Sequence, residues 1–464
     1  MAGPHCPGSS VLRRCQPAWR EVAINTCYLW SKFRVSICSC GLERDSDEGW
    51  GNIVKLWLSR SRGLPLSVSV LVDTESGATD NAVTTVIAAL IKFSESWESI
   101  HLETPFDYLS STLLANLKAS DLPILRSVSI SSVQVTLSNW AANGTSHVGQ
   151  TIPAWSIFKA PSLQRLHFLH GVVTSTLLDK WSQITDLRVR GCDIVVEHCY
   201  GFLSGCKKLQ TCFLDNYDPS SVVNTAVQFR SVQLKHLTCL VLYERTLLPI
   251  LFDVPSLRRF EYQGMFIRNL PSPIPHLLLS ARDLESLHID PKGINLEELL
   301  ELTPSIKNLV FSERSRMFPP LCVMFHYGEW CGVYQGVNDK IIRRLTSNNI
   351  PLGTAALVPN YRYLCPALES LVCKKDSLRT FTDEVLLTFI KKRREESLIT
   401  GGNAAELKEV PIHSKPAPVL VHSQYLVTPA TNPTFLANFI DGELVELVRR
   451  GMKFHLPDCN LKLE

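Results

Sequence analysis

Two neighbouring stretches decide the fold: PSLQRLHFL at residues 161–169 and SQITDLRVR at residues 182–190. Both follow the pattern Leu-x-x-Leu-x-Leu, with other apolar residues allowed, in the triads Leu163/Leu166/Phe168 and Ile184/Leu187/Val189. The last two apolar residues of each triad are two positions apart, so in an extended strand they point to the same side. Each stretch therefore predicts a strand with one face directed into a core.

The same triad recurs along the chain. Clear copies follow at Leu209/Cys212/Leu214, Leu237/Leu240/Leu242, Leu257/Phe260/Tyr262, Leu284/Leu287/Ile289 and Ile306/Leu309/Phe311. Weaker copies lie at Trp97/Ile100/Leu102, Leu125/Val128/Ile130 and Leu368/Leu371/Cys373. From Leu163 to Ile306 the steps are 20 to 28 residues long, within the range of leucine-rich repeats.

This repetition predicts an α/β leucine-rich-repeat solenoid, a curved parallel sheet with a helical or irregular outer side. No single unit can bury its apolar face alone, but stacked neighbours bury it together. The spacing breaks between Ile306 and Leu368, where residues 314–360 predict an irregular insertion. A leucine-rich α/β protein without repetition is the alternative, and the number of copies argues against it.

The composition excludes several classes of protein. With 464 residues, 45% of them apolar and 20% charged, the chain can bury a large core and does not resemble a disordered protein. The formal net charge of +3 is too small to indicate nucleic-acid binding. No apolar run approaches the ~20 residues that span a membrane. We therefore expect neither nucleic acid nor membrane as a partner.

The cysteines and one basic run bear on the compartment. The chain has 15 cysteines and no Cys-x-x-Cys pair, so nothing indicates a zinc knuckle or a redox motif. Scattered, reduced cysteines predict a cytoplasmic or nuclear protein. The run Lys391–Arg394 fits either a nuclear signal or the end of a helix, where cations favour the dipole.

Motifs that carry chemistry are missing from the sequence. It contains no Gly-x-Ser-x-Gly elbow, no phosphate loop ending in Gly-Lys-Ser/Thr and no His-Glu-x-x-His. We therefore assign no catalytic, metal-binding or cofactor-binding residue and expect the chain not to be an enzyme.

Several segments resemble fungal F-box/leucine-rich-repeat proteins of the basidiomycete type. Residues 16–37, QPAWREVAINTCYLWSKFRVSI, are similar to the last helix of an F-box and the strand after it. The matching residues are Arg13, Arg14, Cys15, Trp19, Arg20, Val22, Ala23, Leu29 and Trp30. Similar segments follow in the family's order at Trp57–Ser61, Pro65–Val68, 364–394 and 444–456. The resemblance thus covers most of the chain.

The resemblance implies a substrate receptor, or a truncated relic of one, for an SCF-type ubiquitin ligase. Residues 1–36 would form a partial F-box-like segment and residues 37–464 a repeat domain. Residues 1–15 lack the Leu-Pro-x-Glu with which an F-box begins, and one remaining helix offers far less than the ~800 Å² per partner of a specific interface. We therefore expect weak or no binding to a Skp-type adaptor. A leucine-rich scaffold unrelated to ubiquitination is the alternative.

Two further expectations concern surfaces. We expect Trp19 and Trp30 to pack the F-box-like helix onto the first repeat rather than to lie exposed as adaptor contacts. The positions that alternate with the apolar ones point away from the core, to the concave side where solenoids bind proteins. The predicted partner-binding stripe consists of Arg165, His167, Arg188, Arg190, Asp215, Tyr243, Arg259, Glu261, His288 and Asp290.

Overall fold

In the part of the chain that the structure describes, the architecture is α/β, with a large parallel sheet of 12 strands. The computed structural model describes residues 17–37, 47–72, 80–104, 114, 116–132, 156–173, 181–194, 196–216, 229–244, 250–264, 274–291, 295–312, 337–346, 364–373, 379–398, 405 and 407–408. The resemblance at Arg13, Arg14, Cys15 and 444–456 lies outside these residues. Within the described part of the chain, no helix has the length and apolar character needed to cross a membrane.

The elements are numbered in chain order. The strands are β1 Lys32–Ile37, β2 Leu66–Val72, β3 Trp97–Thr104, β4 Ser127–Ser132, β5 Arg165–Val173, β6 Asp186–Ile194, β7 Thr211–Asn216, β8 Arg230–Gln233, β9 Cys239–Glu244, β10 Ile250–Asp253, β11 Arg259–Gly264, β12 Ser286–Ile289, β13 Asn308–Phe311, β14 Val337–Asn338, β15 Ser370–Cys373 and β16 Arg379–Thr380. The helices are α1 Pro17–Asn25, α2 Asp47–Ser59, α3 Asp80–Ile91, α4 Val196–Gly205, α5 Ile274–Ser280, α6 Leu296–Glu301, α7 Asp339–Thr346 and α8 Asp383–Leu398.

The chain divides into two compact units. Unit 1 comprises Met1–Leu237 with Tyr243–Asp253, and unit 2 comprises Thr238–Leu242 with Val254–Glu464. In unit 1, strands β1 to β7 are paired in chain order and parallel, and β8 pairs separately with β10. In unit 2, β11, β12, β13 and β15 are paired in the same way, and β14 pairs with β16.

The predicted apolar triads form the core. Every triad residue from Trp97 to Cys373 is buried, and the most exposed of them, Tyr262, shows 3% of its surface. In the strand register Leu166 pairs with Leu187 and Leu187 with Cys212, so equivalent positions lie side by side. Burial of each large apolar side chain contributes about 1.5–3 kcal/mol. The predicted burial of the triads is confirmed.

A recurring backbone turn precedes the strands. The first triad residue donates its N–H to the carbonyl three residues earlier, as Leu163 does to Ala160 at 3.2 Å and Ile184 to Trp181 at 3.0 Å. The same bond closes the turns at Leu125, Leu209, Leu237, Leu257, Ile306 and Leu368. The next residue then donates to the preceding unit, as Gln164 does to Arg126 at 2.9 Å. Units of one backbone geometry therefore follow one another through both parts of the chain.

The N-terminal segment differs from expectation in one residue. A helix and a turn are present, as predicted: α1 is followed by a 3-10 turn at Cys27–Trp30. Trp30 is 3% exposed and donates its Nε1–H to the carbonyl of Ala23 at 2.7 Å. The centre of its ring lies 4.7 Å from that of Trp57. Trp19, however, is 67% exposed, and α1 contains no buried residue. The expectation that Trp19 packs onto the repeats is therefore wrong, because the 3-10 turn supplies the capping tryptophan instead.

Part of the predicted irregular insertion is regular. Residues 337–346 form β14 and α7, while the rest of 314–360 lies outside the described residues. Arg344 on α7 forms ion pairs with Glu297 and Glu301 of α6. The pKa of Glu297 is held below its usual value by hydrogen bonds from Lys340 and Arg344, against the opposing effect of burial. These contacts attach α7 to the helix of the preceding repeat.

The basic run in α8 contains a buried arginine. Arg393 is fully buried, and its Nη2 donates to the carbonyls of Cys365, Pro366 and Leu368 at 3.1, 3.3 and 3.0 Å. These carbonyls belong to the turn that precedes β15. Arg393 thus supports the turn of the last described repeat, and it is unavailable as part of an exposed basic signal.

Candidate protein-binding face

The polar face of β1–β7 carries two rows of side chains that run across the strands. In both rows the residues alternate along each strand with the buried core positions. The first row, in register, is Lys32, Ser67, Ser99, Ser127, Arg165, Asp186 and Thr211. The second row is Arg34, Ser69, His101, Ser129, His167, Arg188 and Phe213. All of these side chains are exposed or half-buried.

The middle of the two rows is lined by hydroxyl and imidazole groups. We call this part, on β2, β3 and β4, the serine–histidine strip: Ser67, Ser69, Ser99, His101, Ser127 and Ser129. Ser99 donates its hydroxyl to Ser67 at 2.8 Å, and His101 Nδ1 lies 2.9 Å from Ser129 Oγ. Hydroxyls both donate and accept, so the strip can hydrogen-bond to either type of backbone group in a ligand.

Asp186 organises the side chains on β5 and β6. Arg188 donates to the two carboxylate oxygens of Asp186, from Nε to Oδ1 at 3.2 Å and from Nη2 to Oδ2 at 3.3 Å. His167 Nε2 lies 3.7 Å from Asp186 Oδ2. Partial burial acts to raise the pKa of Asp186, but the interactions with His167 and Arg188 outweigh it and hold the pKa below 3.8. Arg188 is therefore positioned and partly neutralised by a neighbour on its own strand.

Two other arginines in these rows differ from Arg188. Arg34 on β1 and Arg165 on β5 are exposed, and neither forms an ion pair within the described part of the chain. Lys32, also on β1, lies with Nζ 5.9 Å from the centre of the Tyr28 ring. Guanidinium groups bind carboxylates and phosphates in bidentate fashion, so Arg34 and Arg165 are suited to anions from a partner.

An aromatic pair belongs to the same unit. The rings of Phe213 and Tyr243 pack edge to face with centres 5.2 Å apart, and both are half-buried. Tyr243 was among the predicted residues, whereas Phe213 was not, because its apolar side chain did not stand out from the apolar positions beside it. Phe213 could have been found from its position between Cys212 and Leu214, because the residue between the last two apolar residues of a triad points away from the core. Applied to the upstream triads, the same rule selects His101 and Ser129.

The predicted stripe divides into exposed and buried residues. Arg165, Arg188, Arg190 and Arg259 are exposed, and His167 and Tyr243 are half-buried. Asp215, Glu261, His288 and Asp290 are buried, with 4% to 8% of their surface exposed. The expectation of an open surface is wrong for these four. Strand alternation fixes which face a side chain occupies, but whether that face is open to solvent depends on the residues that cover it.

The buried polar residues of unit 2 form a hydrogen-bonded cluster. His288 Nδ1 lies 3.1 Å from Glu261 Oε1, and His288 Nε2 is hydrogen-bonded to the hydroxyl of Ser312. Gln263 donates Nε2 to Ser312 Oγ at 3.4 Å and to Glu261 Oε1 at 3.5 Å. The second oxygen of Glu261 lies 3.5 Å from Arg259 Nη2. We call Glu261, Gln263, His288 and Ser312 the buried polar cluster. Polar groups buried in this way are tolerated because they satisfy one another.

The atom order in this cluster matches that of a serine hydrolase. There, a serine hydroxyl contacts one nitrogen of a histidine and a carboxylate contacts the other. Here Ser312, His288 and Glu261 are all buried, at 5%, 7% and 7% exposure. Such low exposure leaves little room for a substrate to approach the hydroxyl. The geometry therefore supports a structural role for the cluster.

The F-box-like residues also divide. Trp19, Arg20 and Val22 are exposed on α1, while Trp30 is buried. Tyr28 and Leu29 in the following turn are also exposed. Large exposed apolar side chains are therefore concentrated in this segment. Such surfaces, when contiguous, commonly mark interaction sites.

Comparison with known proteins does not assign the chain to a family. No family model matches the chain, and no curated protein is significantly similar to it. Among the described residues, no group of His, Cys, Asp and Glu is arranged to hold a metal ion.

Proposed function

We propose that this chain is a non-catalytic protein receptor of the F-box/leucine-rich-repeat type, serving an SCF-type ubiquitin ligase. The partner protein binds the polar face of β1–β7. One observation carries the proposal: both rows of this face present exposed or half-buried arginines, hydroxyls and aromatic rings, whereas on β11 and β12 the positions equivalent to the second row, Glu261 and His288, are buried. Arginine and tyrosine are enriched among the residues that dominate protein interfaces.

The recurring turns support the leucine-rich-repeat assignment. Each turn places the first apolar residue of a triad in the core and starts a parallel strand, as stacked repeats require. The burial of all the triads is in keeping with such stacking.

The exposed residues of α1 supply the contact to a Skp-type adaptor. Trp19 and Val22 are more than half exposed and contribute nothing to the core of the described residues. Tryptophan is favoured at interface hot spots. Because α1 alone presents a small surface, we expect its contact with purified adaptor to be weak.

Co-purification tests the proposal. The tagged full chain, expressed in a fungal cell and cross-linked there to retain weak contacts, is expected to recover an adaptor and a cullin, and the Trp19→Ala/Val22→Ala variant is expected to lose both. Arg282→Glu, an exposed substitution in the turn before β12, serves as the matched control. Recovery of a partner without adaptor or cullin would favour a leucine-rich scaffold unrelated to ubiquitination, and the ubiquitin-ligase role would be abandoned.

A further inference from the structure

The serine–histidine strip has positive charge on both sides. Lys32 and Arg34 on β1 occupy the same two rows as Arg165 and Arg188 on β5 and β6. Between them, β2, β3 and β4 contribute the serines and His101. Serine side chains are short and arginine side chains are long. The side chains of the strip therefore extend less far from the sheet than the basic side chains on either side of it, which we call the two basic edges.

The strand register sets the distance between these edges. Arg34 and Arg165 lie on strands four steps apart, β1 and β5. Neighbouring strands are separated by about 4.7–4.9 Å, so the two backbones are roughly 19 Å apart. An extended chain rises about 3.3 Å per residue, so roughly six residues cover that span.

The charges within this area favour an anionic ligand. The carboxylates beside the strip already have cationic or imidazole neighbours. Asp186 contacts Arg188 and His167, Glu103 lies 3.6 Å from His101, and Glu98 lies 3.9 Å from Arg126. Arg34 and Arg165, by contrast, form no ion pair with any residue that the structure describes. One guanidinium on each edge is therefore available to a partner.

We propose that this face binds an extended acidic segment of the partner protein, laid across β1–β5, with two anionic side chains about six residues apart. One anion pairs with Arg34 and the other with Arg165, while the hydroxyls of the strip hydrogen-bond to the backbone between them. This inference rests on the proposed function and names the kind of partner it requires. Carboxylate and phosphoryl groups share the chemistry, since both accept bidentate bonds from arginine.

Fluorescence anisotropy with labelled peptides tests the spacing. The purified full chain is titrated with Gly/Ser peptides carrying two glutamates that are two, six or ten positions apart, and with the same set carrying phosphoserines. The six-residue spacing is expected to bind at least about tenfold more tightly than the other two. The stronger of the glutamate and phosphoserine sets identifies the anion. Equal affinity for all spacings would overturn the proposal, because non-specific attraction has no such optimum.

Two substitutions test the edges. Arg34→Glu and Arg165→Glu are each expected to weaken binding of the six-residue peptide at least about tenfold, and the Gln variants to weaken it less. Arg282→Glu should leave the affinity unchanged. Melting temperatures confirm that each variant is folded. Unchanged affinity in both edge variants contradicts the proposal. If no acidic peptide binds while adaptor and cullin still co-purify, this inference fails and the proposed function stands.

Discussion

The polar face of β1–β7 and the buried polar cluster of unit 2 arise from the same sequence pattern, yet they differ in their exposure to solvent. In both, polar residues alternate with a buried apolar triad on parallel strands. On β5 and β6 the alternating residues are mostly exposed or half-buried arginines and histidines, whereas on β11 and β12 they include a buried carboxylate and a buried histidine. Position on a strand therefore assigns the face of a side chain, and the surrounding residues determine whether that side chain is exposed on the proposed binding face or buried in a hydrogen-bonded cluster.

The core should not distinguish the two regions. Leu187→Ala in unit 1 and Leu287→Ala in unit 2 each remove a fully buried side chain from a triad. Each is expected to lower the free energy of unfolding by about 2–5 kcal/mol, measured by urea denaturation. A loss below about 1 kcal/mol at either site would contradict the shared repeat core.

The polar residues should distinguish them. Glu261→Ala removes the acceptor next to His288 Nδ1 and one of the two acceptors of Gln263 Nε2 inside the buried polar cluster, so it is expected to lower the free energy of unfolding by about 1–3 kcal/mol. Arg165→Ala, on the exposed face, should change stability by less than about 0.5 kcal/mol. Similar losses for the two variants would remove the distinction between the regions.

Acid should weaken unit 1 through Asp186. Its pKa is lowered in the folded protein, so the carboxylate contributes stability above the unfolded pKa of 3.8, and that contribution is lost as the pH falls through the lower folded value. Asp186→Asn is expected to lower the melting temperature at pH 7. The difference in melting temperature between this variant and the wild type is expected to become smaller toward pH 3. Thermal melts across this range check it. A difference that does not depend on pH would argue against the ion pairs of Asp186.

The smallest effect is expected at Ser312. Because its hydroxyl is buried and already bonded to His288, a fluorophosphonate probe should not label it in the folded chain. Mass spectrometry of the labelled protein locates any adduct. Labelling that disappears in both Ser312→Ala and His288→Ala would instead identify a reactive serine and reopen the hydrolase reading.

Much of the fold was predictable because its signal is local and repeated. The triads indicate both the alternation within a strand and the number of residues from one strand to the next. The residues of each triad are buried in the structure, as expected. The turn bonds, such as Leu163 to Ala160, could not be predicted, since they depend on backbone geometry that many sequences can adopt.

The site was only half predictable, for a physical reason. Arg165 and Arg188 were found by alternation alone. The burial of Glu261 and His288 accompanies contacts between strands, such as that of His288 with Ser312, which alternation does not reveal. Trp19 failed in the same manner: its type suggested a core anchor, but α1 buries none of its residues. Residue type and strand alternation thus predict the chemical character of a side chain and the face of the sheet on which it lies. Its exposure depends on the tertiary structure.

The most direct test of the central claim compares two exposed arginines, Arg165 in unit 1 and Arg259 in unit 2. Partner capture by the full chain is measured for Arg165→Glu and Arg259→Glu, with melting temperature as the control for folding. Arg259→Gln guards against repulsion with Glu261, its neighbour at 3.5 Å. We predict that Arg165→Glu reduces capture at least about tenfold, while the Arg259 variants retain it. Retained capture by Arg165→Glu, or an equal loss in folded Arg259 variants, would contradict the assignment of recognition to the polar face of β1–β7.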